Sequence, residues 1–135
     1  KEIYTALTHG DFSGSNIFYT EDKNYKNNFF LIDWDFALRR FILYDFLVYK
    51  LNARSVYKIS DNLYFFSRNF IKIRYSENFL IKNYCKDFSR LEIIAFFLLE
   101  DINVRIKDNL IPYEKGPNPD LIEYFNQLRK FNLLI

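Results

Sequence analysis

The chain has one cysteine, one histidine, three glycines and no methionine in 135 residues, and each scarcity closes off a class of protein. A single thiol, Cys85, can build neither an intrachain disulfide framework nor a thiolate zinc cluster, which fits a reducing cytoplasm and a buried, inert side chain. One imidazole, His9, is too few for the common His-carboxylate metal motifs, so a metal-dependent hydrolase built on the Asp residues is the weakest reading. Gly10, Gly14 and Gly116 are too scattered to form a Gly-rich loop over phosphates. The longest apolar run, Ile93 to Leu99, is closed by Glu92 and Glu100, far short of the roughly twenty residues a membrane-spanning helix needs. No charged-then-apolar leader opens the sequence. It starts at Lys1 without a Met, as expected of a piece of a longer polypeptide.

What is abundant is apolar and aromatic. Half of the residues are hydrophobic, with 16 Phe and 11 Tyr, enough to bury one sizeable core, so a single domain over residues 1–135 is expected. Nineteen basic side chains stand against 17 acidic ones, a formal charge of +2. The signs are interspersed, with no basic arm of the kind that binds nucleic acid, and no nucleic-acid partner is expected.

Periodicity divides the chain in two. Ile3 to Leu7 is short and β-prone and delivers a loop over His9 to Ser15. Ile17-Phe18-Tyr19 and Phe29-Phe30-Leu31-Ile32 read as an antiparallel hairpin whose connection is the polar stretch Thr20 to Asn28. From about Arg39 the spacing becomes helical, through Phe41 to Val56 and then Leu63 to Tyr84 with interruptions. Ser89 and Glu92 form a capping box opening a helix with Leu91, Ile94, Leu98 and Ile102 on one face and an end near Lys107 to Asn109. Pro112 to Pro119 is a loop, and Asn118-Pro119 starts a last helix with Leu121, Ile122, Phe125, Leu128 and Phe131 inward and Glu123, Gln127 and Lys130 outward. The expected fold is mainly α with a short β-hairpin: residues 1–38 carry the loop and hairpin, and residues 39–135 the helical part.

The chemistry sits in His9-Gly10-Asp11-Phe12-Ser13-Gly14-Ser15-Asn16 and Ile32-Asp33-Trp34-Asp35. Phosphoryl transfer needs an Asp to receive the acceptor hydroxyl's proton, an Asn five residues on to hold magnesium, and a second metal carboxylate from another strand. Asp11, Asn16 and Asp33 fit these roles. Asn16 opens one hairpin strand and Asp33 closes the other, so both emerge at the same end, on strands about 4.8 Å apart. Magnesium takes oxygen ligands at about 2.0–2.1 Å and keeps sites for phosphate and water, so two protein ligands suffice. Asp35 is a further metal candidate if the strand continues, or a salt-bridge partner of Arg39. Ser13 and Ser15 can donate to a phosphate or satisfy the turn. Asp22 and Asn27 show the same Asp-to-Asn spacing, but in a polar loop without the His-Gly lead or the answering Asp-Trp-Asp strand.

These residues resemble the aminoglycoside phosphotransferase and choline kinase-like small-molecule kinases, whose pattern runs His-Gly-Asp, four variable residues, Asn-Ile, a hairpin, then Ile-Asp-Trp-Glu or Asp. Gly14-Ser15-Asn16-Ile17 is similar to that family's approach to its Asn, with Ser where Gly is frequent. The resemblance covers Thr8 to about Leu47. It implies a protein-kinase-like C-terminal lobe, Asp11 as the base, Asn16 and Asp33 on magnesium, and ATP as co-substrate. It further implies that His9 supports the loop and that Asp45, in Tyr44-Asp45-Phe46, ties backbone amides of the catalytic region together. Trp34 is expected in the core.

A kinase also needs a Gly-rich loop and a Lys supplied by an N-terminal nucleotide lobe, and only eight residues precede His9. The expectation is therefore a C-terminal lobe with its nucleotide lobe missing, poorly active alone, cytoplasmic, and needing that lobe in cis. The alternative is a non-catalytic binding or regulatory module of kinase descent, against which the intact Asp11, Asn16 and Asp33 argue. For the acceptor, Arg68, Lys72, Arg74, Lys82 and Lys86 against Glu77 favour a neutral or anionic molecule such as a sugar over a polycationic amino-sugar or choline-like one.

Overall fold

A computed structural model of the chain describes residues 1–22, 25–76, 79–109 and 119–131. The chain is mainly helical with two short antiparallel strand pairs. β1 (Thr5–Thr8) pairs with β4 (Leu38–Phe41), Thr5 opposite Phe41 and Thr8 opposite Leu38. β2 (Ile17–Asp22) and β3 (Tyr25–Leu31) form the hairpin, Ile17 opposite Leu31. Its strands extend into the polar stretch assigned from sequence to the connection, and β1 sits about two residues later than the Ile3 to Leu7 run suggests.

β4 corrects the expectation of helix from Arg39. Four residues are too few to display a period, and what makes them a strand is the partner: Thr8 Oγ1 donates to the Leu38 carbonyl at 2.8 Å, and buried Arg40 donates from Nη1 to Thr8 Oγ1 at 2.8 Å. Helix begins only at α1 (Tyr44–Lys50). It stops well before Val56 because Asn52 takes a left-handed backbone, φ 46°, which Asn tolerates better than most residues. The Asn52 amide donates to the Tyr49 carbonyl at 3.1 Å and the Ala53 amide to that of Val48 at 2.9 Å, a Schellman ending that satisfies two orphaned carbonyls and turns the chain back.

α2 (Ile59–Ser76) and α3 (Phe79–Tyr84) follow. α4 (Arg90–Asn109) opens on the capping box: the Ser89 amide donates to Glu92 Oε2 at 2.7 Å, and the Glu92 amide to Ser89 Oγ at 3.2 Å. α5 (Pro119–Lys130) starts at its proline, and the Pro112 to Asn118 part of the preceding loop lies outside the described residues. Leu43, Leu47, Ile59, Leu63, Ile93, Phe97, Tyr124 and Leu128 form the centre of the core, and Cys85 is buried with them. Burial pushes the Cys85 thiol up to about 11. Among the described residues no helix is long and apolar enough to cross a membrane.

Two helix faces differ from the sequence pattern for one reason. The buried stripe of α4 runs through Ile93, Ile94, Phe97, Leu98, Asp101, Val104 and Arg105, and Leu91 is 54% exposed. On α5 the buried residues are Tyr124, Gln127 and Leu128, while Ile122 is 48% exposed. The expected residues Ile94, Leu98 and Leu128 are buried, and Ile102, Phe125 and Phe131 pack against the core. Counting apolar residues alone nevertheless sets the edges of both faces wrongly, because the true stripes include Asp101, Arg105 and Gln127, the last expected outward. These are polar groups satisfied inside: Gln127 Nε2, for instance, donates to Glu123 Oε1 at 2.6 Å.

Candidate active site

The loop from His9 to Asn16 is held at both ends. At its start, Asp45 in the first turn of α1 accepts the His9 amide on Oδ2 at 2.6 Å and the Gly10 amide on Oδ1 at 2.9 Å. His9 is buried, and its ring spans the site: Nε2 lies 2.7 Å from the Ile32 carbonyl, and Nδ1 accepts the Asp11 amide at 3.3 Å. A carbonyl can only accept and an amide N–H can only donate, so the ring carries its proton on Nε2 and acts as a strut between the loop and the end of β3.

Gly10 is required by both conformation and space. Its φ is 88°, and an added Cβ would meet the Phe36 carbonyl oxygen, Phe36 Cβ at 2.8 Å and Arg40 Nη1 at 2.9 Å. This close approach seats the loop on the turn that follows Asp33.

Asp11 and Asn16 are brought together. Asn16, buried at the end of a single 3₁₀ turn (Gly14–Asn16), donates from Nδ2 to the Asp11 carbonyl at 3.0 Å and to Asp11 Oδ2 at 3.1 Å. Both partners are acceptors, so the amide nitrogen must face Asp11, leaving the amide oxygen for another ligand. The hairpin register brings Asp33 to the same end, since the Ile32 amide donates to the Asn16 carbonyl at 3.1 Å. Asp33 is exposed with φ 62°, a left-handed backbone state that Asp and Asn adopt more readily than most other non-glycine residues.

The remaining expectations separate. β3 ends at Leu31, and residues 34–37 close a turn through the Ala37 amide and the Trp34 carbonyl at 2.9 Å, so Asp35 does not continue a strand beside Asp33. Nor does it pair with Arg39, which reaches Thr5 Oγ1 at 3.2 Å instead. Asp35 lines an open cavity of about 210 Å³ with Phe36, Leu38, Arg40, Asn103 and Lys107. Trp34 is not core: it is 46% exposed, its Nε1 donates to the Leu31 carbonyl at 3.0 Å, and its ring rests 4.7 Å from that of His9. The Ser13 and Ser15 hydroxyls bond each other at 2.8 Å.

One residue at the site was not foreseen. Arg54 Nε lies 2.8 Å from Asp11 Oδ1, reached because the Schellman turn at Asn52 folds the chain back toward the loop. Burial works against the Arg54 charge, but Asp101, Tyr44 and Asp11 outweigh it and raise its pKa above the ordinary value. An Asn following an amphipathic helix was the available signal, and it marks the turn without naming what the turn delivers.

No family model, curated protein or solved structure matches the chain. The functional case therefore stands on geometry. Among the described residues no three or more His, Cys, Asp or Glu side chains gather into a metal cage. One carboxylate and one amide oxygen, with phosphate and water completing the shell, are donors magnesium accepts. Asn16 and Asp33 fit that smaller demand.

Proposed function

We propose that the chain is the protein-kinase-like C-terminal lobe of an ATP-dependent phosphotransferase that acts on a hydroxyl of a small molecule. The observation that carries this reading is the Asp11–Asn16 pair, hydrogen-bonded within one loop at 3.1 Å, with the hairpin returning Asp33 to the same end. Asp11 orients the acceptor hydroxyl and receives its proton as the oxygen attacks the γ-phosphorus and the bond from that phosphorus to the β–γ bridging oxygen breaks, releasing ADP. Asn16, through its amide oxygen, and Asp33 would hold magnesium, which when bound neutralises phosphate charge. His9 and Asp45 fix the loop backbone, so most of the rate comes from positioning and preformed electrostatics. Ser13 and Ser15 would exchange their mutual bond for one to a phosphate oxygen.

The reading requires a strand-rich lobe bearing a Gly loop and a Lys to close the nucleotide pocket. The hairpin supports such a companion, since Phe18, Phe29 and Phe30 expose 50%, 71% and 51% of their surface, apolar area that a covering lobe would bury. The acceptor is a neutral or anionic polyol such as a sugar. Of the charges behind that lean, Lys82 and Lys86 are exposed and Arg68 lies over the Tyr64 ring at 4.5 Å; the side chains of Lys72, Arg74 and Glu77 lie outside the described residues.

The test is a thermal-shift titration with magnesium-ATP, on the chain alone and on a longer polypeptide carrying it, followed by an acceptor screen. Wild type gains melting temperature only when magnesium and nucleotide are both present, and Asp33→Ala loses that gain. Absence of any magnesium-dependent shift in both forms would sink the reading.

A further inference from the structure

Asp11 is gripped from two sides. Its Oδ2 takes the Asn16 amide, and its Oδ1 faces Arg54 Nε at 2.8 Å. That second contact lies off the N–H axis, so neither atom gains a directed hydrogen bond, yet both are sealed from solvent; charge holds the pair. Arg54 is in turn fixed by groups outside the loop. Its Nη2 donates to the Gly10 carbonyl and, at 3.3 Å, to the Tyr44 hydroxyl, while Nη1 lies 3.7 Å from Asp101 Oδ1.

Asp101 is fully buried on α4 and receives Tyr44 OH at 3.1 Å, Tyr124 OH at 2.7 Å and Arg105 Nε at 2.9 Å. Charges alternate from the site inward: Asp11, Arg54, Asp101, Arg105. A buried carboxylate with this many donors is costly to build and rigid once built, and a planar guanidinium transmits its orientation better than a flexible ammonium.

We infer that Arg54 is a positioning residue for Asp11, anchored by Asp101, so that the direction of the Asp11 carboxylate is set from α4 as well as by Asn16 of its own loop. Sealed Oδ1 cannot reach a substrate. Oδ2 has a second lone pair beyond the one given to Asn16 and is the oxygen that faces the acceptor hydroxyl. The task assigned to Asp11 rests on the phosphotransferase reading; the grip on its carboxylate does not.

The test uses nitrogen-15 and methyl carbon-13 NMR of the chain, with calorimetric titration of magnesium-ATP on the same samples. In wild type the Arg54 Nε–H gives a slowly exchanging signal distinct from the exposed arginines, and Asp11→Asn moves it. Arg54→Met shifts the Asn16 side-chain amide pair while the Ile93 and Leu63 methyl signals stay in place, and Arg54→Lys restores part of that shift. In an enzyme that turns over, Arg54→Met lowers kcat by about 10²-fold at unchanged KM for magnesium-ATP. A fast-exchanging Arg54 Nε–H in wild type, which needs no variant, overturns the inference, as does unchanged kcat in Arg54→Met. If the Asn16 pair moves but magnesium-ATP binds neither the chain nor a longer polypeptide carrying it, the phosphotransferase reading fails and the positioning role stands. Binding with an unmoved Asn16 pair gives the reverse.

Discussion

Asp45 holds Gly10 by accepting its backbone amide on Oδ1 at 2.9 Å, across 35 residues of sequence. The same carboxylate takes the His9 amide on its other oxygen, so one side chain satisfies two consecutive donors at the point where the chain leaves β1. Asp45→Ala orphans both, and hydrogen bonds to a charged group contribute roughly 1.5–3 kcal/mol each, so a loss of about 3 kcal/mol is expected in urea denaturation. Asp45→Asn recovers little, because its NH₂ must point at one of the two amides. A loss under about 1 kcal/mol for Asp45→Ala would mean that His9, Asn16 and Arg54 hold the loop without Asp45.

Asp33 separates stability from function. A non-glycine residue in the left-handed region costs about 1–2 kcal/mol, somewhat less for Asp, and Asp33 is exposed. Asp33→Gly should therefore leave the fold unharmed or raise its stability by up to about 1 kcal/mol, and at the same time abolish magnesium-dependent nucleotide binding. Chemical denaturation and calorimetry on one sample read both. Unchanged binding would remove Asp33 from the metal site.

Asn52 is the hinge on which Arg54 depends. Asn52→Gly keeps the left-handed turn and should stay within about 0.5 kcal/mol of wild type, while Asn52→Val, β-branched and strained at this φ, should lose about 2 kcal/mol. The informative comparison is the Arg54 Nε–H signal, retained in the first variant and displaced in the second.

The parts of this molecule that sequence reveals are those whose causes are local. The capping box at Ser89 and Glu92, the proline start of α5 and the hairpin facing Asn16 all follow from residues a few positions apart. The Asp11–Asn16 pairing is equally local. Arg54 and Asp101 are not: Arg54 meets Gly10 across 44 residues, and nothing in its neighbours marks it among the other basic side chains. Asp101 was masked for a different reason, since a carboxylate in an amphipathic helix reads as a solvent-facing residue until its four partners are seen. β4 fell between the two cases, a strand only because β1 supplies the other half of its ladder.

The capping box carries an acid signature. Lys1 Nζ lies 2.8 Å from both Glu92 oxygens, and with the Ser89 amide and hydroxyl it pulls the Glu92 carboxyl down to about 2. A carboxyl depressed on folding stabilises the native state above its unfolded pKa, and that contribution is lost as pH falls from about 4.5 through 2. Wild-type melting temperature should therefore drop more steeply between pH 5 and pH 2 than that of Glu92→Gln. Because the pair is exposed, 1 M salt should remove the Lys1 share and leave the capping share. Parallel melting curves for the two proteins would show that Glu92 keeps its ordinary proton affinity.

The Asp101 cluster carries the opposite signature. Burial, and after it the Asp101 charge, raises both the Tyr44 and the Tyr124 hydroxyls above their ordinary value near 10. An acid group raised on folding keeps its stabilisation below the unfolded pKa and loses it as pH climbs beyond, since the unfolded chain releases the proton first. The protein should thus unfold progressively above about pH 10. Tyr124→Phe, which deletes one donor to Asp101 and its titration together, should cost about 1–2 kcal/mol at pH 8 but flatten the decline between pH 9.5 and 11. Denaturant midpoints across that range decide it. A variant as alkali-sensitive as wild type would place the titrating group elsewhere than α5.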